Sequence, residues 1–454
     1  MLSLGLFAAR IVAAVSRLFG RGGTSLPGRL LLRVSPGALR RLAARLEGGS
    51  VVISATNGKT TTAAMAAAIL ESSGARLVHN RAGANMAGGV ASALLARAGS
   101  SGGGPPDMGL FEVDEFWLDR VVGDLRPRAI VLANLFRDQL DRYGELEAIA
   151  ERWAAVVDGL AAETRVVLNA DDPLVADLGR ERDDVVYFGV DDVSVALPGL
   201  EHASDSKHCR RCGTRYVYEA VLLGHLGHYH CPNCGARRPA PLVSAQRVEL
   251  EGVRGAKVQL RAGDDVADVR LGLPGLYNVY NALAATALGI ALGISLDTIA
   301  ARLANVAPAF GRAESVRVDG RDLSILLVKN PAGANEVLRT LSLEPGEHDL
   351  LGVLNDNIAD GRDVSWIWDA DFEPLAQRLR SVTCSGTRAA ELALRLKYAG
   401  VPTGRIVVEP DLERALDGAL SGAAGTLYAL PTYTAMLALR DLLVARGHAE
   451  SSWA

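Results

Sequence analysis

At 454 residues the chain is about three times the roughly 150-residue size of one domain, so two or three packed domains are expected. Hydrophobic residues at 49% and charged residues at 22% lie near globular averages and exclude a disordered tail, a collagen or a coiled coil. Lys+Arg 48 against Asp+Glu 52 leaves a net charge of −4, so no cationic excess marks nucleic acid as the main partner.

Met1 to Phe19 is apolar, but Arg10 and Arg17 interrupt it and no clean small-residue cleavage motif follows, which argues against a signal peptide. Phe7, Ile11, Val15 and Leu18 recur at helical spacing. They predict an amphipathic helix within an N-terminal segment 1–48, packed on the protein's own core or, alternatively, touching a membrane surface. Val51 to Ser54 reads as a strand, Ala55 to Thr62 (ATNGKTTT) as a loop, and Ala63 to Leu70 as a helix. Further strands are predicted at Leu110 to Val113, Ala129 to Ala133, Val166 to Asn169 and Val185 to Phe188, separated by helical spacers, so the sheet is mostly parallel. Ser100 to Pro106 (SSGGGPP) reads as a flexible surface loop.

Between Gly199 and Pro241 the pattern changes to cysteines, histidines and basic residues, as in an inserted module. Strands resume at Val243 to Val253 and Ala256 to Leu260. The uncharged run Leu271 to Leu296 is divided by Pro274, Asn278 and Asn281 into a turn and a buried Ala-rich helix, so no transmembrane span is predicted. After Phe310-Gly311-Arg312 a second alternation begins, with strands at Ile325 to Val328, Leu350 to Leu354, Arg380 to Cys384, Arg405 to Val408 and Thr426 to Leu430. The fold class is therefore α/β: a central domain over 49–314 carrying an insertion at 199–241, then a doubly wound domain over 315–454.

Gly58-Lys59-Thr60 after a strand and before a helix is the arrangement of a phosphate-binding loop for ATP. Backbone N–H groups of Asn57 to Thr61 face the phosphates, Lys59 reaches the β/γ-phosphates, and the Thr60 hydroxyl is the expected Mg²⁺ ligand. Glu112, ending an apolar strand in FEVDE, is placed to meet the same Mg²⁺ at the carboxyl edge of the sheet. Glu115 is nearby; the bland reading of either carboxylate is a solvated loop charge.

Cys209-x₂-Cys212 and Cys231-x₂-Cys234 match the paired turns of a four-thiolate site, so a structural Zn²⁺ ribbon is expected. His208, His225, His228 and His230 are expected to support the module or face solvent rather than replace a thiolate. Arg210, Arg211, Arg215, Arg237 and Arg238 raise a nucleic-acid-binding ribbon, which the lack of an aromatic platform disfavours. Cys384 then remains, at a strand end, and reads as a small core residue. With four cysteines assigned to metal, Cys384 is also a poor candidate for an activated thiolate, which needs a histidine beside it. The cysteine usage suits a reducing compartment.

These residues together resemble the Mur ligase family of ATP-dependent amide-forming enzymes. ATNGKTTT is similar to its phosphate loop, with Ala55 where glycine is usual. NRAGANMAGG (Asn80 to Gly89), FEVDE, NLFRDQLDRYG (Asn134 to Gly144), LNADDP (Leu168 to Pro173), LYNVYNALAA (Leu276 to Ala285) and FGRAE (Phe310 to Glu314) follow in the family's order. The resemblance implies that Asn278 and Asn281 lie near the adenine and that Arg312 reaches from the hinge toward the phosphates. Three features depart from it. Only about 50 residues precede the loop, too few for a nucleotide-sugar-binding domain. Gln139 stands where a histidine is usual, which questions a second metal ion, and Lys329-Asn330-Pro331-Ala332-Gly333 replaces an aspartate- and histidine-bearing segment of the amino-acid-adding enzymes.

With NDNIADGRDVSWIWD (Asn355 to Asp369), these departures resemble one branch, the synthetase subunits of lipid II isoglutaminyl synthase. That resemblance implies a cytoplasmic enzyme, at or near the inner face of the membrane. It would phosphorylate the α-carboxylate of D-glutamate in lipid II and accept ammonia from a GatD-like glutaminase in a heterodimer. It also implies that Asp363, among Asp356, Asp360 and Asp363, orients the partner's histidine; the bland reading of all three is turn capping. Alternatives are a stand-alone ligase adding an amino acid or polyglutamate, and a nucleotide-regulated scaffold whose zinc module binds another macromolecule.

Overall fold

The computed structural model describes residues 25–80, 84–97, 107–138, 146–201, 204–306 and 314–449. The predicted helix around Phe7 to Leu18, the SSGGGPP loop, Arg81 to Gly83, Gln139 and Arg312 lie outside them.

Seven strands form the parallel part of the first sheet: β1 (Ser50–Ser54), β2 (Arg76–His79), β3 (Asp107–Glu112), β4 (Ala129–Leu132), β5 (Arg165–Asn169), β6 (Val185–Val190) and, beyond the insertion, β9 (Val243–Leu250). The antiparallel β10 (Ala256–Ala262) and β11 (Asp265–Leu271) extend it, giving the order β11-β10-β9-β6-β5-β4-β1-β3-β2. β1 and β4 read SVVIS and AIVL without alternation because both faces are covered and every residue is buried. Val51 and Ile53 point to a core shared with the helices Lys59–Ser72, Leu276–Ala291 and Leu296–Leu303. Val52 points the other way, toward Leu31, Val90, Val121 and Trp153 on four helices of the opposite face.

The insertion holds a two-stranded antiparallel hairpin, β7 (Val217–Leu223) and β8 (Leu226–His230), outside the main sheet. β9 stops at Leu250, short of the expected Val253, because Gly252–Arg254 turns into a 3₁₀ segment.

The second sheet has the order β12-β13-β17-β14-β15-β16, from β12 (Glu314–Val318), β13 (Arg321–Ile325), β14 (His348–Val353), β15 (Leu379–Ser385), β16 (Ile406–Val408) and β17 (Leu427–Pro431). All neighbours are parallel except the hairpin β12–β13. Its two-residue turn, Asp319 at φ 49° and Gly320 at φ 81°, is the left-handed pair that hairpins favour. The expected strand Ile325 to Val328 is corrected accordingly: β13 ends at Ile325. Leu326 and Val328 still donate N–H bonds to Ala429 and Pro431, and this run delivers Lys329 and Asn330 to the first domain.

Candidate functional site

β1 ends in Ala55–Gly58 and the helix Lys59–Ser72 begins immediately, presenting the unpaired N–H groups of its first turn. Gly58 has φ +83°, and a Cβ there would fall 2.0 Å from Asn281 Oδ1, so both backbone and space demand glycine. Asn281 accepts from Thr62 Oγ1 at 3.2 Å and donates to Asn278 Oδ1 at 3.0 Å, while Asn278 donates to Pro274 O at 2.7 Å. The loop and the two expected adenine-side asparagines thus form one buried assembly. Thr60 is half-buried and Thr61 is buried.

Lys59 is not free. Its Nζ lies 2.7 Å from Glu115 Oε2, donates to Thr56 O at 3.3 Å, and also donates to Ala55 O. Both partners are buried, so Glu115 is not the solvated charge of the bland reading. Burial opposes ionisation of Glu115, but the charges of Lys59 and Lys329 outweigh it and hold the carboxyl below its ordinary range. Burial and then the Glu115 charge push Asp114 up. Lys329 pairs with Asp138; burial opposes its charge, but Asp138 and Glu115 carry the ammonium above its usual value. Two lysines and three carboxylates from both domains therefore face one another at the loop.

Asparagines close the seam. Asn57 N donates to Asn134 Oδ1 at 2.9 Å, Asn134 Nδ2 donates to Asn57 O at 3.0 Å, and the amides of Asn57 and Asn330 exchange bonds of 3.1 and 3.3 Å. Asn330 also caps the helix Pro331–Ser342 by accepting from Gly333 N at 3.0 Å. A second helix amino end, from the C-terminal domain, consequently sits beside the phosphate loop. Sequence reasoning treated Lys329 to Gly333 only as a departure; Asn-Pro before an apolar-periodic run was the available cap signal.

Glu112 pairs in register with Ile53 at the carboxyl edge. Asn80 fixes its backbone from both sides, accepting from Glu112 N at 2.9 Å and donating to Glu112 O at 2.7 Å. The Glu112 carboxylate is buried and has no hydrogen bond or ion pair among the described residues. An unpaired buried carboxylate beside a phosphate loop is a suitable donor for Mg²⁺.

In the insertion, Cys209 Sγ lies 3.5 Å from Cys234 Sγ and Cys212 Sγ 3.5 Å from Cys231 Sγ, and all four sulfurs lie within 4.8 Å of one another. A tetrahedral Zn²⁺ with about 2.3 Å bonds sets its sulfurs about 3.8 Å apart, so the donors fit. The two turns match: Gly213 N donates to Cys209 O and Gly235 N to Cys231 O, with φ of 72° and 75°. Among the described residues no histidine joins the cluster. His225 is buried against Phe136 and Asp172, His228 bonds Val190 O, and His230 pairs with Glu219. Arg211 and Arg238 are spent on Asp177, and on Asp171 and Asp191, rather than offered outward.

The LNADDP aspartates explain how the module is held. Asp171 accepts from Arg238 Nε at 2.5 Å, Val190 N at 2.8 Å and Tyr280 Oη at 2.7 Å; Asp172 accepts from Leu135 N at 2.9 Å and caps the next turn. Tyr280 lies on the helix of Asn278 and Asn281, so the insertion is joined to the helix that packs on the Gly58 loop.

The three C-terminal aspartates differ. Asp360 is buried and accepts both Thr434 N (2.7 Å) and Thr434 Oγ1 (2.5 Å); Asp356 is engaged by Thr387 and Arg388. Asp363 is exposed and accepts from Ser365 N at 2.8 Å; the Ser365 hydroxyl and then that N–H hold its carboxyl below the ordinary range. Cys384 is fully buried and burial alone pushes its thiol up to about 12, so it is no nucleophile.

Residues 53–236 match the family described as Mur ligase middle domain, and residues 327–436 match MurT ligase C-terminal. The chain is 34% identical over 438 residues, 96% of each chain, to subunit MurT of lipid II isoglutaminyl synthase (glutamine-hydrolyzing) from Staphylococcus aureus strain N315. It is also 34% identical over 446 residues to the subunit of that name from Streptococcus pneumoniae strain ATCC BAA-255 / R6, covering 98% of this chain and 97% of that one. The chain belongs to the MurT family of Mur ligases. The fold of this MurT-family chain also superposes on a pseudomurein peptide ligase type C from Methanothermus fervidus. That match has a TM-score of 0.68 at 24% identity, over 89% of this chain and 80% of the other. Among its described residues no helix is long and apolar enough to cross a membrane.

Proposed function

We propose that this chain is the ATP-dependent synthetase subunit that amidates the α-carboxylate of D-glutamate in lipid II, giving D-isoglutamine. The observation that carries the reading is the convergence of two helix amino ends and two lysines, one from each domain, on a single loop. Such a site binds a polyphosphate between domains and neutralises charge as a phosphoryl group moves.

A carboxylate is already an anion and needs no base to attack phosphorus. Its oxygen attacks the γ-phosphorus and the bond to the β-phosphate oxygen breaks, leaving ADP and an acyl phosphate. Neutral ammonia then attacks the acyl carbon, phosphate departs with its oxygen, and the surplus proton is lost to give the amide. Backbone N–H groups of Asn57 to Thr61 and Lys59 hold the β/γ-phosphates, and Asn278 and Asn281 flank the adenine. Arg312, in the same reading, reaches the phosphates from the hinge. Thr60 and Glu112 would hold Mg²⁺, which when bound neutralises phosphate oxygens. The four thiolates would hold a structural Zn²⁺ with no open position.

Ammonia comes from a GatD-like glutaminase: of the five cysteines, four cluster, and burial pushes the Cys384 thiol up, away from the reactive thiolate. Asp363 is the one DGRD carboxylate exposed enough to meet a partner's histidine. The complex is placed in the cytoplasm. Phosphate release with lipid II as acceptor tests the reading: ammonia should support turnover and amino acids should not. Turnover with an amino acid instead of ammonia overturns it in favour of a stand-alone ligase, and acceptor-independent nucleotide binding alone favours a scaffold.

A further inference from the structure

Charge is unevenly distributed along this chain. Eight arginines and no acidic residue occupy positions 1–46, whereas the remaining residues hold 40 cations against 52 acids. Within the described part of that segment, the helices Leu26–Val34 and Ala38–Ala43 leave Arg29, Arg33, Arg40, Arg41 and Arg45 exposed. Arg40 pairs with Asp124 and Arg41 bonds its own turn at Gly37 O. The side chains of Arg29, Arg33 and Arg45 make no hydrogen bond or ion pair among the described residues. The helix Ala38–Ala43 packs on Leu118–Leu125, which adds exposed Arg120 and Arg126 to the same side. Against these stand Glu47, Asp119, already paired with Arg152, and Asp124.

The same helix exposes apolar side chains. Leu26 is 53% and Val34 42% exposed, at the two ends of the helix that carries Arg29 and Arg33. Long basic side chains flanking uncovered aliphatics suit the boundary between headgroups and acyl chains: the aliphatics enter, and the guanidinium groups stay at the phosphates.

The surface is firmly joined to the site. Gly28 packs so closely on the helix Ala87–Arg97 that a Cβ would lie 2.0 Å from Gly88 O, and Gly28 N donates to Ser92 Oγ at 2.9 Å. That helix follows the segment whose Asn80 clamps the backbone of Glu112.

We infer that the basic face of the Leu26–Val34 and Ala38–Ala43 helices docks on an anionic lipid bilayer, holding the phosphate-loop domain at the surface that carries its acceptor. The choice of acceptor rests on the function proposed above; the choice of a bilayer rests on charge complementarity and the exposed Leu26 and Val34.

The test is co-sedimentation of the full chain with vesicles of pure phosphatidylcholine and of phosphatidylcholine with about one third phosphatidylglycerol. Binding is expected only with the anionic vesicles and should weaken as salt is raised. The triple variant Arg29→Gln, Arg33→Gln, Arg45→Gln removes no side-chain hydrogen bond or ion pair and should lower partitioning roughly 100-fold, at about fivefold per arginine, while its circular dichroism and melting stay unchanged. Equal binding to both vesicle types, or unaltered binding by the triple variant, overturns the inference. So does retention on duplex DNA without vesicle binding, which would assign the face to nucleic acid. Vesicle binding needs no catalysis, so a chain that binds lipid but amidates nothing contradicts the function and leaves the docking surface standing, and the reverse result does the opposite.

Discussion

Lys59 Nζ and Glu115 Oε2 lie 2.7 Å apart with both side chains buried, so the cation proposed to meet phosphate is engaged by a carboxylate. In the proposed function a polyphosphate competes with Glu115 for Lys59. Breaking a buried pair from one side is costly, because the other charge is left without a partner.

Glu115→Gln should therefore tighten ADP binding by about tenfold, since the competing anion is gone. Isothermal titration calorimetry checks this; weaker binding would mean that Glu115 supports the bound state. Lys59→Ala should lower acyl-phosphate formation at least 100-fold, roughly 3 kcal/mol in the transition state, and retained full activity would remove the loop from the mechanism.

Lys329 comes from the other domain and is neutralised by Asp138. In the proposed function its charge acts on the phosphates from the C-terminal domain. Lys329→Met should reduce kcat by 10- to 100-fold with little change in the KM for ATP, and Lys329→Arg should restore part of it. An equal loss in both variants with unaltered kcat/KM ratios between substrates would instead indicate a purely structural pair.

Glu201 offers a pH test. Burial, then the charges of Glu336 and Asp371, push its carboxyl up to about 7 although it accepts from Gly224 N at 2.9 Å. The folded state holds a proton that the unfolded chain releases near pH 4.5, so this group's contribution is full at acid pH and is lost as pH rises toward about 7. Glu201→Gln should remove that loss and gain on the order of 2 kcal/mol relative to the parent between pH 5 and pH 8, measured by urea unfolding. No difference in pH slope would contradict it.

Asp360 and Asp363 should separate cleanly. Asp360→Asn replaces one of the two buried oxygens that accept from Thr434, so one of the two bonds is lost and the change should cost about 1–3 kcal/mol of stability. Asp363→Asn should leave stability and ammonia-dependent turnover in place while depressing glutamine-dependent turnover in the complex with a glutaminase. Equal loss with both nitrogen sources would remove Asp363 from the partner's site.

Cys209→Ser should drop bound zinc well below one equivalent and lower the melting temperature by several degrees, read by metal analysis and calorimetry. Because Asp171 joins the module to Tyr280, nucleotide affinity should fall as well.

The sequence disclosed the parts whose chemistry is local. Gly58-Lys59-Thr60 needs only a strand before it and a helix after it, and the two Cys-x₂-Cys turns need only their spacing. What it concealed depends on distance in the chain. Glu115 reaches Lys59 across 56 positions, and Asn330 reaches Asn57 across 273. Neither pairing has a periodicity or a spacing to betray it. Lys329 is one of only five lysines in the chain, a scarcity visible in composition, yet only the folded run beyond β13 shows it beside Asp138. The strand expected at Ile325 to Val328 failed for a related reason: its apolar residues pair with β17 but leave the sheet to carry the domain crossing.

The account turns on transfer of a carboxylate oxygen to phosphorus at the Gly58 loop. Supplying lipid II labelled with ¹⁸O in the D-glutamate α-carboxylate, together with ATP and ammonia, and analysing the released phosphate by mass spectrometry tests this directly. One labelled oxygen per turnover should appear in the phosphate. Amide formation with unlabelled phosphate would contradict the account.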